Sequence, residues 1–250
     1  MFKIYPIAWI TKSNAVMDFI KEYTTNDPSD KGMQEFMVAD FAAGEHDRVP
    51  SFFVRILQEL QMGCIGKKRI TVYSIDLHAL RLDSLLGKLE ESALLDRTRV
   101  VQAKLETMDI EASLRPDTIE YLKKNPMEMT WLDKTLSHEK RIPPESFQIG
   151  VLNNDVVGYL HEYYKEYSDA AVALTKVYKT IKVGGLLLVT LPCSLYVVDN
   201  VQILESLGFE FLEGFDIDLA DGTASIMERE ASPESMSRIY HYSFLVFSRN

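Results

Sequence analysis

Cysteine is scarce in this 250-residue chain: the two present, Cys64 and Cys193, lie far apart and follow no metal-ligand or redox spacing. A reduced, cytoplasmic setting is the expectation. Long hydrophobic runs are missing too. No uninterrupted apolar stretch approaches the about 20 residues needed to cross a bilayer. The apolar start, Met1 to Ile10, contains Lys3 and Pro6 and has neither a basic leader nor a small-residue cleavage site, so it does not read as a signal peptide. Positive charge is short: 27 Lys and Arg stand against 37 Asp and Glu, a net charge of −10. A field of that sign repels phosphate backbones and anionic lipid, which disfavours nucleic acid and membrane as partners. The densest basic run, Lys67-Lys68-Arg69, sits just before an apolar strand and reads as a solvated turn. Internal repeats and low-complexity tracts are absent.

What is present is the balance of an ordinary globular protein, 46% apolar and 26% charged, in a chain long enough for one large α/β domain or for one domain plus an elaboration. The stretch from Glu35 to Gln61 organises the rest. Phe36-Met37-Val38-Ala39 is a strand that ends at Asp40, the turn Phe41-Ala42-Ala43-Gly44-Glu45-His46 follows, and a helical pattern begins at Pro50 with Phe53, Ile56, Leu57 and Leu60 on one face. Small residues in such a turn let backbone N–H groups and the positive end of a helix approach a ligand. A second strand, Ile70 to Ile75, again stops at an aspartate, Asp76. Parallel strands joined by helices present their C-terminal ends on one edge, and a carboxylate at the end of the second is placed to accept hydrogen bonds from both ribose hydroxyls.

The alternation continues. Leu77 to Ser92 reads as a helix with Leu82, Leu85, Leu86 and Leu89 on one face, and Arg99 to Ala103 as a third strand before Lys104-Leu105-Glu106. From about 109 to 146 the pattern breaks into a proline-punctuated insert containing Trp131. Phe147 to Leu152 is a fourth strand ending in Asn153-Asn154-Asp155. A long helix from Tyr159 to Ile181 leads through Lys182-Val183-Gly184-Gly185 into the apolar strand Leu186 to Leu191. Helix Asp199 to Leu207 and strands at Phe209 and Tyr240, with no crossover helix between the last two, close the chain. Ahead of it all, Ser13 is placed to cap a helix bearing Val16, Phe19, Ile20 and Tyr23.

This order resembles the class I S-adenosylmethionine-dependent methyltransferases from about Glu35 to the C-terminus. Four stretches carry the resemblance: Val38-Ala39-Asp40-Phe41-Ala42-Ala43-Gly44, Ile75-Asp76, Leu152-Asn153-Asn154, and Thr180-Ile181-Lys182-Val183-Gly184-Gly185 running into Leu186-Leu187-Leu188-Val189. Ala42 stands where the family has a glycine, His46 where a third glycine often sits, and Val183 where a proline is usual. The resemblance implies a doubly wound, mostly parallel seven-stranded sheet with a C-terminal antiparallel hairpin. It also implies a helical extension over residues 1–34 and a methyltransferase domain over 35–250. S-adenosylmethionine would be bound by Asp40, Ala42, Gly44, His46, Asp76, Leu77, Asn153 and, near the adenine, Leu105, Glu106 or Asp109.

The acceptor would be a small molecule or a protein. The aspartate or asparagine followed by two prolines and an aromatic residue, used by many amino methyltransferases, is absent at Asn153 to Val156. Asn154, Asp155 and His161 are the candidates for chemistry at the methyl-transfer site, with Cys193 and Ser194 beyond the fifth strand. Each has a plain structural role as competitor, such as a helix cap for Asp155. No metal is called for. Two other functions fit the same pattern: a non-catalytic interaction protein on this fold, and a nicotinamide-dependent oxidoreductase, which shares the strand, turn, helix, acidic-end start but wants three glycines.

Overall fold

A computed structural model describes residues 6–25, 35–60, 69–126, 140–163, 167–192, 196–218, 220–227 and 241–250. Cys64, Cys193, Ser194, Trp131 and residues 127–139 of the expected insert lie outside the described residues.

Strands β1 (Phe36–Phe41), β2 (Ile70–Asp76), β3 (Thr98–Gln102) and β5 (Phe147–Leu152) are short and almost wholly buried, as strands covered on both faces must be. With β4 (Ser113–Leu114), β6 (Ile181–Leu191), β7 (Phe209–Asp218), β8 (Ala224–Ile226) and β9 (His241–Arg249) they form one sheet in the order β4-β3-β2-β1-β5-β6-β9-β7-β8. Among the described residues the sheet holds nine strands rather than seven. The two additions, β4 against β3 and β8 against β7, are short edge pieces that no periodicity announces. The final pair is antiparallel, β7 on β9, but β8 intervenes in the chain and β9 inserts between β6 and β7.

The pleat divides the core. Phe36 and Val38 point to one face, where they meet Ile7, Ile10, Val16 and Ile20 of the N-terminal segment and Val49, Phe53 and Ile56 of helix α2 (Arg48–Leu60). Met37, Ala39 and Phe41 point to the other, where Leu160 of α5 (Val156–Tyr163), Leu174 and Val177 of α6 (Tyr167–Thr180) and Leu204 of α7 (Val197–Ser206) cover them. Helix α3 (Ala79–Glu91) buries the four leucines that its spacing singles out: Leu82, Leu85, Leu86 and Leu89. Ser13 accepts the Val16 N–H at 3.1 Å and starts helix α1 (Asn14–Thr25), and its hydroxyl also bonds Glu213 of β7. Within the insert, Pro116 opens α4 (Pro116–Lys124).

Several boundaries differ from expectation by a residue or more, and two of the shifts have a visible cause. The helical segment after β5 starts at Val156 rather than Tyr159, because Asp155 caps it: its carboxylate accepts the Gly158 N–H at 3.2 Å and its carbonyl the Tyr159 N–H at 3.0 Å. The glycine turn belongs to β6 itself. Phe147 pairs with Ile181 and Ile149 with Leu186, so residues 182–185 loop out of the ladder. Glycine is needed there, since a Cβ on Gly185 would lie 2.8 Å from the Gln148 carbonyl oxygen, and Gly184 has φ +75°.

Candidate functional site

Strand order reverses beside β1, with β2 and β3 on one side and β5 and β6 on the other. Crossovers leave in opposite directions at that point, so the C-terminal edge opens there into a crevice. A cleft of about 420 Å³ occupies it, within the about 300–1,000 Å³ that takes small ligands.

The β1 to β2 side is held by backbone. The turn after β1 lies across the end of β2: the Ala43 N–H donates to the Ile75 carbonyl at 3.0 Å, and the Gly44 N–H to one carboxylate oxygen of Asp76 at 2.9 Å. The other Asp76 oxygen accepts the His78 N–H at 2.8 Å, which locks the side chain at the strand end. Reaching this path takes left-handed backbone at Ala42 (φ +57°) and Gly44 (φ +64°). At Gly44 a Cβ would meet nothing within 4 Å, so its absence leaves open cleft beside Asp76.

Side chains hold the β5 side instead. Asn154 (φ +71°) and Asp155 (φ +62°) are consecutive left-handed residues, an uncommon conformation without glycine. Thr190 of β6, fully buried, secures both. Its hydroxyl donates to Asn153 Oδ1 at 2.7 Å and accepts the Asn154 N–H at 2.7 Å, and its carbonyl accepts the Asp155 N–H at 2.8 Å.

Asp40, 2% exposed, projects from β1 into the same cleft as Asp76. Burial pushes its carboxyl well above the usual carboxylate range, and the charge of Asp76 pushes in the same direction. His46 is held below its ordinary value, first by burial, then by Arg48 and Lys88, whose charges act against those of Glu45 and Asp47.

The structure thus brings Asp40, Ala42, Gly44, His46, Asp76, Leu77, Leu105, Asn153 and Asn154 to one cleft. Glu106, Asp155 and His161 are not on its lining: Asp155 is spent on the α5 cap, and Asp109 is ion-paired with Lys176 of α6. Sequence reasoning missed several lining residues. His78 and Lys104 directly flank positions it chose, and Arg48 lies two residues beyond His46, so nearness in the chain was the available signal. Ile7, Tyr159, Leu160 and Tyr242 come from elements remote in the chain, and only packing delivers them. Among the described residues no helix is long and apolar enough to cross a membrane.

No family profile and no curated protein sequence matches the chain. Solved structures do. An S-adenosylmethionine-dependent methyltransferase from Clostridium acetobutylicum superposes over 100% of this chain and 92% of its own, with a TM-score of 0.51 and 10% identity. A TehB-like S-adenosylmethionine-dependent methyltransferase from Corynebacterium glutamicum does so over 99% and 89%, with a TM-score of 0.50 and 12% identity. At such identity the likeness is one of fold, and the fold of this chain is that of the class I S-adenosylmethionine-dependent methyltransferases.

Proposed function

We propose that this protein binds S-adenosylmethionine in the β1 to β5 cleft and directs its methyl group to an acceptor. The observation that carries the reading is the pair of buried carboxylates, Asp40 and Asp76, set beside the open space at Gly44. Two like charges under one apolar roof are costly, and both influences on Asp40 favour its neutral form. A cationic ligand relieves that cost. Asp76 is already oriented by the Gly44 and His78 N–H groups, and each of its oxygens retains a lone pair for a ribose hydroxyl.

The cofactor, when bound, supplies an electrophilic methyl group for an in-line displacement. What the chain contributes is alignment and the exclusion of water. Asp76 and the Gly44 turn hold one end of the ligand, and Asn153, oriented by Thr190, lines the other end together with Asn154. Val156, Leu160 and Ile7 make the walls there apolar, which keeps the reacting atoms dry. An asparagine amide cannot take up a proton near neutral pH, so Asn154 positions rather than deprotonates.

Titration calorimetry with S-adenosylmethionine and S-adenosylhomocysteine tests the reading. Saturable heat is expected, and no detectable heat at millimolar ligand removes it. A non-catalytic protein of the same fold is the second reading, motivated by the single glycine of the turn and by His46. The left-handed backbone at Ala42 weighs against it, because the turn adopts the path a glycine would take with alanine in its place. A nicotinamide-dependent oxidoreductase is disfavoured by β9, which runs antiparallel between β6 and β7 where the six-stranded dinucleotide sheet is parallel throughout.

A further inference from the structure

Strand order lays the cleft out sideways. Along the C-terminal edge of the sheet its lining runs from the residues after β3, past the end of β2 and the turn after β1, to the residues after β5. The ends of β2 and β3 are tied together directly: the Ala103 N–H donates to the Asp76 carbonyl at 3.0 Å, and Gln102 Nε2 to the Leu77 carbonyl at 3.3 Å. Lys104 and Leu105 therefore line the cleft one strand away from Asp76, on the side opposite β1. Asp40 is one strand away on the other side.

These positions orient an adenosyl ligand whose ribose is held by Asp76. A ribose carries its base at C1′ and the sulfonium next along from C5′, so the two leave it in different directions. The sulfonium belongs on the side of Asp40, a carboxyl that burial and Asp76 keep from ionising and whose cost a positive charge relieves. The base then falls on the β3 side, where Leu77, Ala103 and Leu105 are the apolar lining. The polar side chains lining that side are His78, Arg81 and Lys104, all exposed, and the last two can only donate. Acids of the same segment are placed elsewhere: Glu106 is not on the lining, and Asp109 pairs with Lys176 of α6. Nearby carbonyls are already engaged, those of Asp76 and Leu77 as above and that of Lys104 by the Thr107 N–H at 3.2 Å.

Resting on the methyl-transfer reading, we infer that the purine end of the cleft does not select for the 6-amino group of adenine: it takes a 6-oxopurine at least as readily, and Lys104 is the residue that decides this. The edge of adenine offers one acceptor, N7, beside the amino donor, whereas a 6-oxopurine offers two acceptors, O6 and N7. An ammonium can use both acceptors of the second base but only one of the first, whose amino group it meets donor to donor. A carboxylate at position 104 reverses the preference, because it accepts from the amino group and repels O6.

The test compares S-adenosylhomocysteine with S-inosylhomocysteine, its 6-oxo counterpart, by titration calorimetry on the full chain. The 6-oxo ligand is expected to bind more tightly or equally, to within about threefold. Lys104→Ala should weaken it about tenfold while S-adenosylhomocysteine stays within about threefold, and Lys104→Glu should leave S-adenosylhomocysteine about tenfold the tighter of the two. Two results overturn the inference. One is S-adenosylhomocysteine binding the unaltered chain more than about threefold more tightly than the 6-oxo ligand. A backbone donor at purine N1 would cause that, because N1 accepts in adenine and carries a proton in the 6-oxo base. The other is an equal change in both affinities on Lys104→Ala, zero included, which makes the lysine a bystander. Failure of the unaltered chain to bind either ligand is a different result: it removes the methyl-transfer reading, and the inference falls with it.

Discussion

The two ends of the cleft are built by different means. On the β1 to β2 side, Asp76 is clamped by two backbone N–H groups, one from the turn after β1 and one from its own strand end. On the β5 side, Asn153 and the left-handed pair Asn154 and Asp155 depend on one side chain, Thr190, contributed by the neighbouring strand. Backbone donors survive most substitutions, whereas a threonine hydroxyl is lost in one. The first end is therefore robust in shape and sensitive only at its carboxylate. The second is a unit that fails together.

The sharpest way to break this comparison is Asp76→Ala. Losing a paired, mostly buried carboxylate is expected to weaken S-adenosylmethionine binding by roughly 2–4 kcal/mol, read by calorimetry, and unchanged affinity would show that the ribose lies elsewhere. Asp40 comes next, through pH. Its folded-state carboxyl titrates above the ordinary value near 3.9, so the stability it lends is full below that pH and is lost as pH rises through its folded-state value. Across that window the free protein should lose up to about 1.4 kcal/mol per pH unit from this group, while affinity for a cationic cofactor rises as Asp40 ionises. Asp40→Asn should flatten both profiles in urea unfolding and calorimetry run from pH 4 upward. Parallel profiles for the two proteins would refute the assignment.

Thr190→Val tests the other end. Removing the hydroxyl leaves the Asn153 carbonyl and the Asn154 N–H without their partner and should cost about 1–3 kcal/mol of stability, with Thr190→Ser recovering most of it. If valine is as stable as the parent, the strand end is held by something else. The smallest effects oppose one another within a single turn. Gly44→Ala should cost about 1–2 kcal/mol for left-handed backbone and place a methyl in the cleft. Ala42→Gly should be neutral to stabilising by up to about 1 kcal/mol, relief of strain being offset by a freer unfolded chain. Thermal unfolding of the two single mutants decides it: Gly44→Ala is expected to lower Tm, and Ala42→Gly to leave it unchanged or raise it.

Much of the fold was legible because each signal is local. The first strand, with Asp40 one residue short of its end at Phe41, the second strand ending in Asp76, the leucine face of α3 and the Ser13 cap each follow from a few consecutive residues and their period. The edge strands β4 and β8 were not legible, since segments of two and three residues carry no periodicity. The start of α5 was misplaced for a related reason. Asp155 could be read as cap or catalyst, and only its bond to the Gly158 N–H in the folded chain separates the two. Likewise, Gly184 and Gly185 read as a helix stop. Their position inside β6 becomes visible only against Gln148 on the neighbouring strand.

By itself the sequence determined where the strands of the parallel core lie to within a few residues, which faces of helices are apolar, and that two aspartates stand at or beside the ends of successive strands, because these depend on neighbours within one turn or one pleat. Only the tertiary structure decided that the two aspartates share a cleft and that Thr190 governs Asn153 from another strand. It also decided that Ile7, Arg48, Tyr159 and Tyr242 line that cleft. Those are encounters between segments as far apart as the N-terminal turn and the last strand, and packing of the sheet, not local preference, brings them together.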